Sequence, residues 1–246
     1  MSVQKEQIDK LKDMLKESRK VVFFTGAGIS VPSGIPDFRS ANGIYNEKQN
    51  RTYSPEEMVS HSFLYAHPED FFAFYREKML YPDAKPNAAH RWIAALQKDH
   101  EVTVVTQNID GLHEAAGSEN VVNLHGSVHE NYCVHCRKTY PMEYVYRSEG
   151  VPKCSCGGMI RPNVVLYEEI LDDTAITKAI RAIEEADMVV VIGTSLVVYP
   201  AASFIGFYRG DRLVLINLSE TYADSYANLC INEDCEEVAV RMTEDL

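Results

Sequence analysis

The sequence predicts an α/β fold in which helices cover both faces of a doubly wound, mainly parallel sheet, with a small module inserted into the chain. Three observations lead to this prediction: short apolar runs typical of buried strands, helical segments between these runs, and a cysteine-rich stretch that interrupts the alternation. A chain of 246 residues suits one or two domains of roughly 150 residues each. We expect one domain that spans 1–246.

The strands are predicted from five runs of consecutive apolar, often β-branched residues. These runs lack the alternation of half-exposed strands and are typical of parallel strands covered on both faces. The runs are Val21–Phe24, Val102–Val105, Val121–Leu124, Met188–Ile192 and Leu213–Ile216.

Helices are predicted between these strands. Ile8, Leu11 and Leu15 indicate an amphipathic helix at the N-terminus, since their spacing places them on one helix face. A helix start at Asp172 and prolines in first turns support further helices. The other predicted helices are Pro68–Leu80, Pro86–Lys98, Asp172–Ala186 and Pro200–Tyr208. Strands that alternate with helices indicate a Rossmann-like sheet, in which ligands bind beyond the carboxyl ends of the strands.

The stretch of about 127–163 breaks this alternation, because it has no long helical pattern and contains four of the six cysteines. We expect it to form a small module. The larger, Rossmann-like part of the domain then comprises about 1–126 and 164–246.

The cysteines of this stretch form two close pairs with seventeen residues between the pairs. Four thiolates in this pattern suit a tetrahedral structural zinc ion, on which small loop-rich modules often depend for folding. His129 or His135 could replace one cysteine as a ligand. The predicted ligands are Cys133, Cys136, Cys154 and Cys156.

Composition and charge exclude several classes of protein. The net charge of −12 argues against direct nucleic-acid binding, and it suits either a basic partner or simple solubility. The longest apolar runs are far shorter than the ~20 residues of a membrane helix, and the charged start "MSVQKEQIDKLKDMLKESRK" is neither a signal peptide nor an anchor. We expect a cytoplasmic protein without a membrane partner.

A glycine-bearing loop, "TGAGISVPSGIPDFRS", follows the first strand. Gly26 and Gly28 permit a sharp turn, and backbone amides in such a loop can hold phosphate oxygens. The third glycine of the usual dinucleotide fingerprint would fall at Val31. The loop alone therefore leaves two interpretations, a nucleotide site or a structural turn.

Polar residues follow two further strands, at the same predicted edge of the sheet. "TQNIDGLH" places Gln107, Asn108, Asp110 and His113 after one strand, and "LHGS" places His125 after the next. A histidine titrates near neutral pH, so His125 is a candidate general base. No Gly-x-Ser-x-Gly motif is present, and serine hydrolase chemistry has little support.

Taken together, these motifs resemble those of the sirtuins, the NAD-dependent protein-lysine deacylases. They occur in the family's order and span about residues 20–240. The matching segments are "GAGIS" (26–30), "GIPDFR" (34–39), "TQNIDGLH" (106–113), "LHGS" (124–127), the two cysteine pairs, "RPNVVLY" (161–167), "GTSLVVYP" (193–200) and "INL" (216–218).

The resemblance implies that NAD lies over the glycine loop, with a lid from Asp37–Arg39 and a nicotinamide pocket at Asn108–Asp110. It also implies that Asn217 meets the adenosine ribose and that Cys235 lies near adenine. The implied NAD-binding residues are Gly26, Ala27, Gly28, Ser30, Asp37, Phe38, Arg39, Gln107, Asn108, Ile109, Asp110, Gly193, Thr194, Ser195, Asn217 and Cys235.

The activity that the resemblance implies is acetyl transfer from lysine to ADP-ribose, giving nicotinamide, O-acetyl-ADP-ribose and free lysine. In this scheme His125 is the catalytic residue and accepts a proton from a ribose hydroxyl. Because the histidine must be neutral, we expect activity to fall below about pH 6.5, the ordinary pKa of histidine.

The implied partner is an acetyl-lysine protein or peptide, bound as a strand between Val164–Glu169 and Ser195–Tyr199. Where the family usually has Phe-Gly-Glu, this chain has Tyr-Glu-Glu at 167–169. The change is either a harmless loop difference, or it alters peptide choice or weakens the usual activity. A carboxylate beside the peptide would favour basic flanking residues. The implied substrate-binding residues are Val165, Tyr167, Glu168 and Leu196.

The acyl group is expected to be uncharged. Family members that prefer succinyl-lysine carry a Tyr-x-x-Arg pair, and the corresponding positions here are Phe72 and Tyr75, with Arg76 one place later. An apolar pocket without a placed guanidinium disfavours a buried carboxylate.

Two other functions stay open beside the deacetylase. A mono-ADP-ribosyltransferase would use the same activated ribose, and a non-catalytic NAD or ADP-ribose module would bind without turnover. An intact His125 favours the deacetylase over both.

Overall fold

A computed structural model describes residues 3–38, 40, 43–46 and 52–244. The strands are β1 (Lys20–Thr25), β2 (Glu101–Thr106), β3 (Val121–Asn123), β4 (Gly126–Cys133), β5 (Thr139–Tyr140), β6 (Ile160–Val164), β7 (Met188–Ile192), β8 (Leu213–Ile216) and β9 (Leu229–Ile231). The α-helices of the described residues are α1 (Val3–Lys16), α2 (Pro55–Met58), α3 (His61–Ala66), α4 (Pro68–Lys78), α5 (Ala88–Ala95), α6 (Leu112–Ala115), α7 (Met142–Arg147), α8 (Asp173–Glu184) and α9 (Cys235–Thr243).

The main sheet has six parallel strands in the order β3-β2-β1-β7-β8-β9. The order reverses between the neighbours β1 and β7, and such a switch point opens a crevice at the carboxyl ends of the strands. The five predicted strands are confirmed. The sixth, β9, was not predicted because three residues, one of them a half-buried cysteine, make too short an apolar run.

Helices pack on both faces of this sheet, which confirms the doubly wound class. Ile8, Leu11 and Leu15 of α1 are buried on one face together with side chains of α5 and α9. On the other face, α8 and the segment Ala201–Phe207 cover the sheet. No helix in the described part of the chain combines the length and apolar composition that a membrane crossing requires.

Three of the predicted helices between the strands form as α4, α5 and α8. The fourth differs in type, because Ala201–Phe207 is a 3₁₀ helix. The Ser203 hydroxyl donates a hydrogen bond to the Pro200 carbonyl, and such side-chain bonds compete with the α-helical pattern. Gly206 within the segment further lowers its helix propensity.

A second sheet of three antiparallel strands, in the order β5-β4-β6, carries the cysteine-rich stretch. Its core is shared with aromatic side chains of α3 and α4, among them Phe63, Phe71 and Phe72. The boundaries of about 127 and 163 for a separate small part stay a prediction.

Candidate active site

The candidate site lies at the switch point, where the loops after β1 and β7 contact each other. Gly26 N donates to Ile192 O at 3.1 Å, and Gly28 N donates to Gly193 O at 2.8 Å. A Cβ atom on Gly28 would lie 2.7 Å from Gly193 Cα. Gly193 has φ +62°, and a Cβ there would lie 2.6 Å from the Gly28 carbonyl carbon. The two loops can approach this closely only because both residues lack a side chain.

A buried hydrogen-bond network joins the first loop to the segment after β2. Asn108 Nδ2 donates to Gly26 O at 3.2 Å and to Ser30 Oγ at 3.0 Å. Ser30 Oγ in turn donates to Asp110 Oδ2 at 2.7 Å. Burial raises the pKa of the Asp110 carboxyl. The network therefore holds an amide and a carboxyl group, 78 residues or more from Ser30 in sequence, in one fixed arrangement.

A second chain of hydrogen bonds runs across the ends of β2, β7 and β8. Gln107 Nε2 donates to Thr194 Oγ1 at 3.1 Å, and Thr194 N donates to Asn217 Oδ1 at 3.0 Å. Asn217 Nδ2 is buried and has no hydrogen-bond partner among the described residues. A buried donor of this kind suits a polar ligand, so these residues fit the hydroxyl-rich ribose of NAD.

His125 lies in the turn between β3 and β4 and is partly exposed. Its Nδ1 is 2.8 Å from Gln107 O. Since a carbonyl only accepts, Nδ1 carries the hydrogen and Nε2 has the lone pair in the neutral ring. Burial lowers the pKa of His125, and the bond to Gln107 opposes this shift only in part. The geometry therefore supplies a neutral base at Nε2.

The predicted lid residues Asp37 and Phe38 lie beside residues 164–169, the predicted substrate segment. Ile44 N donates to Asp37 O, Tyr45 N donates to Phe38 O, and the rings of Phe38 and Tyr45 are 5.5 Å apart. The Tyr45 and Tyr167 hydroxyls are 2.8 Å apart, a contact that a phenylalanine at 167 could not make. Arg39, also predicted for the lid, lies outside the described residues.

Four further predicted site residues lie in the loops after β2 and β7 or at the start of α9. Cys235 begins α9 with its Sγ 3.9 Å from Gly28 O. Ser195 is exposed in the loop after β7, and Leu196 is buried with φ +55°. The carbonyl of Ile109 accepts a hydrogen bond from Val128 N, which links this segment to β4.

Sequence patterns did not reveal Asn87 and His90, two residues that support the site. Asn87 is buried and donates to Ile29 O at 2.7 Å and to Ser33 Oγ at 2.9 Å. Its position as the N-cap of α5 was the available signal. The rings of His90 and His113 are 4.8 Å apart, and burial lowers their pKa values to about 4 and about 3. They form a neutral pair beneath the end of β1.

The altered substrate segment is anchored on one side. Tyr167 N donates to Val59 O at 3.1 Å, and His61 N donates to Tyr167 O at 3.0 Å. Although burial would raise it, hydrogen bonds from Arg161 and His61 lower the pKa of Glu169 to about 2. The neighbouring Glu168 has φ +74°, a conformation that favours glycine. The segment thus tolerates a strained residue in the place of the family's glycine.

The four predicted cysteine ligands lie together, with all Sγ atoms within 4.8 Å of one another. Two Sγ pairs are 3.5 Å apart, close to the ~3.8 Å expected for thiolates around tetrahedral zinc with Zn–S bonds of ~2.3 Å. The Tyr140 hydroxyl donates to Cys154 Sγ at 3.0 Å. His129 Nε2 instead lies 3.0 Å from Asp110 O. The four cysteines therefore fit a structural zinc ion, with His129 engaged elsewhere.

Removal of this zinc is expected to destabilise the protein. Because Cys133 and Cys154 are buried in the core beneath the three-stranded sheet, a strong chelator should lower the melting temperature by about 10 °C, a loss of several kcal/mol. The measurement is thermal unfolding with and without chelator, together with colorimetric zinc counting. Cys154→Ser should show the same loss, and Cys230→Ser should retain the zinc. A purified protein without zinc but with an unchanged melting temperature would contradict this expectation.

Comparison with known proteins agrees with these observations. The Sir2 family model matches residues 26–200. An NAD-dependent protein deacetylase of Clostridium perfringens is 56% identical over 95% of this chain and 97% of its own. A solved Sir2 structure with deacetylated p53 peptide and 3'-O-acetyl ADP ribose is 42% identical, has a TM-score of 0.89, and is matched over 97% of this chain and 98% of its own. A Sir2 structure bound to acetylated peptide is 41% identical, with a TM-score of 0.83 and coverage of 97% and 98%.

Proposed function

The chain belongs to the Sir2 family and is an NAD-dependent protein deacetylase, and we propose that His125 is the general base of its reaction. The observation that carries this proposal is the hydrogen bond of 2.8 Å from His125 Nδ1 to Gln107 O. It assigns the lone pair to Nε2 and leaves that atom to accept a proton. His125 is also positioned at the same sheet edge as the two glycine loops.

We infer the NAD site from the crevice between β1 and β7. When bound, NAD supplies the ADP-ribose that accepts the acetyl group and the nicotinamide that leaves. The loop of Gly26 and Gly28 and the loop of Gly193 bring backbone close enough for a pyrophosphate. The donor at Asn217 Nδ2 suits a ribose hydroxyl, and Asn108 with Asp110 suits the amide of nicotinamide. We propose that the other residues predicted to bind NAD contact it as the family resemblance implies.

The peptide substrate is proposed to lie along residues 164–169. Tyr167 uses its own N–H and C=O toward Val59 and His61, so this strand edge is already occupied on one side. On the other side, Leu166 is bonded to Glu169 through both its N–H and its C=O. An extended peptide would therefore lie along the segment next to Tyr167 and Glu168. Ser195–Tyr199 would form the opposite wall.

The acyl group is proposed to be acetyl in preference to succinyl. Phe72 and Tyr75 are buried, and Arg76 donates to the Val145 and Gly150 carbonyls of the cysteine-rich stretch. The guanidinium is therefore engaged and does not serve a succinyl carboxylate. We also infer that the protein acts in the cytoplasm, where thiols stay reduced and can bind zinc.

The direct test is incubation with NAD and an acetyl-lysine peptide, beside a matched succinyl-lysine peptide, with mass spectrometry of peptide and nucleotide. We expect the acetyl-lysine peptide to lose its acetyl group and an equal amount of O-acetyl-ADP-ribose to form. The succinyl-lysine peptide should lose its succinyl group at least tenfold more slowly. Consumption of NAD with the acetyl group retained and ADP-ribose added to protein would instead support the transferase. Binding of NAD without turnover would support a non-catalytic module.

A further inference from the structure

A groove of about 460 Å³ lies beside the substrate segment, outside the NAD crevice. One wall is aromatic. The ring centroid of Tyr53 lies 5.0 Å from that of Phe63 and 5.4 Å from that of His67, and the ring centroids of Phe63 and His67 are 5.0 Å apart. Tyr167 and Glu168 also line the groove. Aromatic rings packed in this way give the groove a defined shape.

Three carboxylates line this groove, from Glu56, Glu57 and Glu168. No lysine or arginine occurs among its described lining residues. The combination of aromatic rings and carboxylates is typical of sites for organic cations, since ring faces and anionic oxygens both attract positive charge. The groove is therefore complementary to an ammonium or guanidinium group.

Two of these carboxylates are held in place by backbone and hydroxyl donors. Glu168 accepts from Ser62 N and from Ser62 Oγ, both at 2.8 Å. Glu57 accepts from Ser54 N at 2.8 Å, in the capping box of α2. These bonds lower the pKa values of both carboxyls, so both groups stay ionised at neutral pH. A carboxylate has lone pairs for further partners, and a fixed one loses little entropy when it binds.

The groove is continuous with the proposed substrate edge, because Tyr167 and Glu168 belong to both. A peptide that lies along residues 164–169 would pass next to these two residues. Successive side chains of an extended peptide point to opposite sides. Side chains at alternate positions near the acetyl-lysine would therefore point toward the groove. The occupant that fits the position and the charge is a basic side chain of the same peptide.

We propose that this groove binds a lysine or arginine side chain that flanks the acetylated lysine in the protein substrate. The inference rests on the proposed function and narrows its substrate class. The proposal also gives Glu168 a role in binding the substrate. The left-handed conformation is unfavourable for a residue other than glycine, and here that residue supplies a fixed carboxylate at the edge of the groove.

The test uses acetyl-lysine peptides with arginine at each of the three positions on either side, each compared with its glutamine counterpart. We expect arginine to lower KM and Kd about threefold to tenfold at one or two positions. The gain should shrink at high salt, since partly exposed charges are screened. Kd is measured by fluorescence anisotropy, so the result does not depend on turnover.

Variants then assign the effect to the groove. Glu56→Gln should reduce the preference for arginine and leave the rate on the glutamine peptides unchanged. Glu168→Gln should reduce the preference further, and Glu143→Gln, exposed on α7, should have no effect. Equal Kd values for arginine and glutamine peptides at every position would overturn the proposal. So would a preference that Glu56→Gln and Glu168→Gln leave intact. Arginine-selective binding without deacetylation would support the groove and contradict the proposed base instead.

Discussion

Replacement of His125 by alanine is expected to lower kcat/KM for deacetylation by about a hundredfold to ten-thousandfold, the usual contribution of a general base. The variant should still fold and bind NAD, because within the described part of the chain the ring makes one hydrogen bond, to Gln107 O. The measurement is the rate of O-acetyl-ADP-ribose formation, with NAD binding and melting temperature measured on the same samples. His100→Ala, at the amino end of β2, is the control. A loss of less than tenfold would contradict the role of His125 as base.

The pH dependence of kcat/KM should be set by the protonation of His125. The sequence predicted a fall in activity below about pH 6.5, on the ordinary pKa of histidine. Burial lowers the pKa of His125, and the neutral form is the active one. The acid limb of kcat/KM should therefore lie at lower pH than 6.5, with activity retained above it. An acid limb above 6.5 would show that another group controls the rate or that His125 is less shielded than the structure indicates.

Gly193→Ala is expected to have the second largest effect, with loss of NAD turnover and destabilisation by roughly 2–4 kcal/mol. The new Cβ would lie 2.6 Å from the Gly28 carbonyl carbon, so overpacking adds to the strain of a left-handed alanine. The loops after β1 and β7 would have to separate. Urea unfolding and NAD titration by calorimetry measure the two consequences.

Gly117→Ala is the matched control for this variant. Gly117 has φ +99°, also left-handed, but a Cβ there would meet no atom within 4 Å. Its substitution should cost only about 1 kcal/mol through backbone strain and leave NAD binding unchanged. If both variants cost the same, crowding between the two loops is not what requires glycine at 193.

Several parts of the fold were predictable from local patterns. The five central strands are continuous apolar runs because they are covered on both faces. The start of α8 was predictable from Asp172, which is its N-cap. The strand β9 was missed because three residues carry too little pattern, and Ala201–Phe207 was predicted as an α-helix because its apolar spacing does not reveal the 3₁₀ form.

The contacts of the altered substrate segment could not be predicted from local sequence. The sequence identified the extra carboxylate of Glu168 and predicted it beside the peptide. Its partner, Ser62, is 106 residues away, and no pattern near Glu168 indicates that contact. The aromatic wall of the groove likewise comes from α3 and the residues that precede α2. Only the packed structure brings these side chains together with residues 167–168.

The sequence by itself determined the chemical types at the site: a glycine loop after a buried strand, a histidine at the end of another, and two close cysteine pairs. These are local features, since the spacing of a few residues fixes which groups are available. The tertiary structure alone decided which groups meet, as in the contact of Gly28 with Gly193, the network of Ser30 with Asn108 and Asp110, and the groove beside Glu168. Such contacts join distant parts of the chain, and they depend on strand order and close packing, which no local spacing encodes.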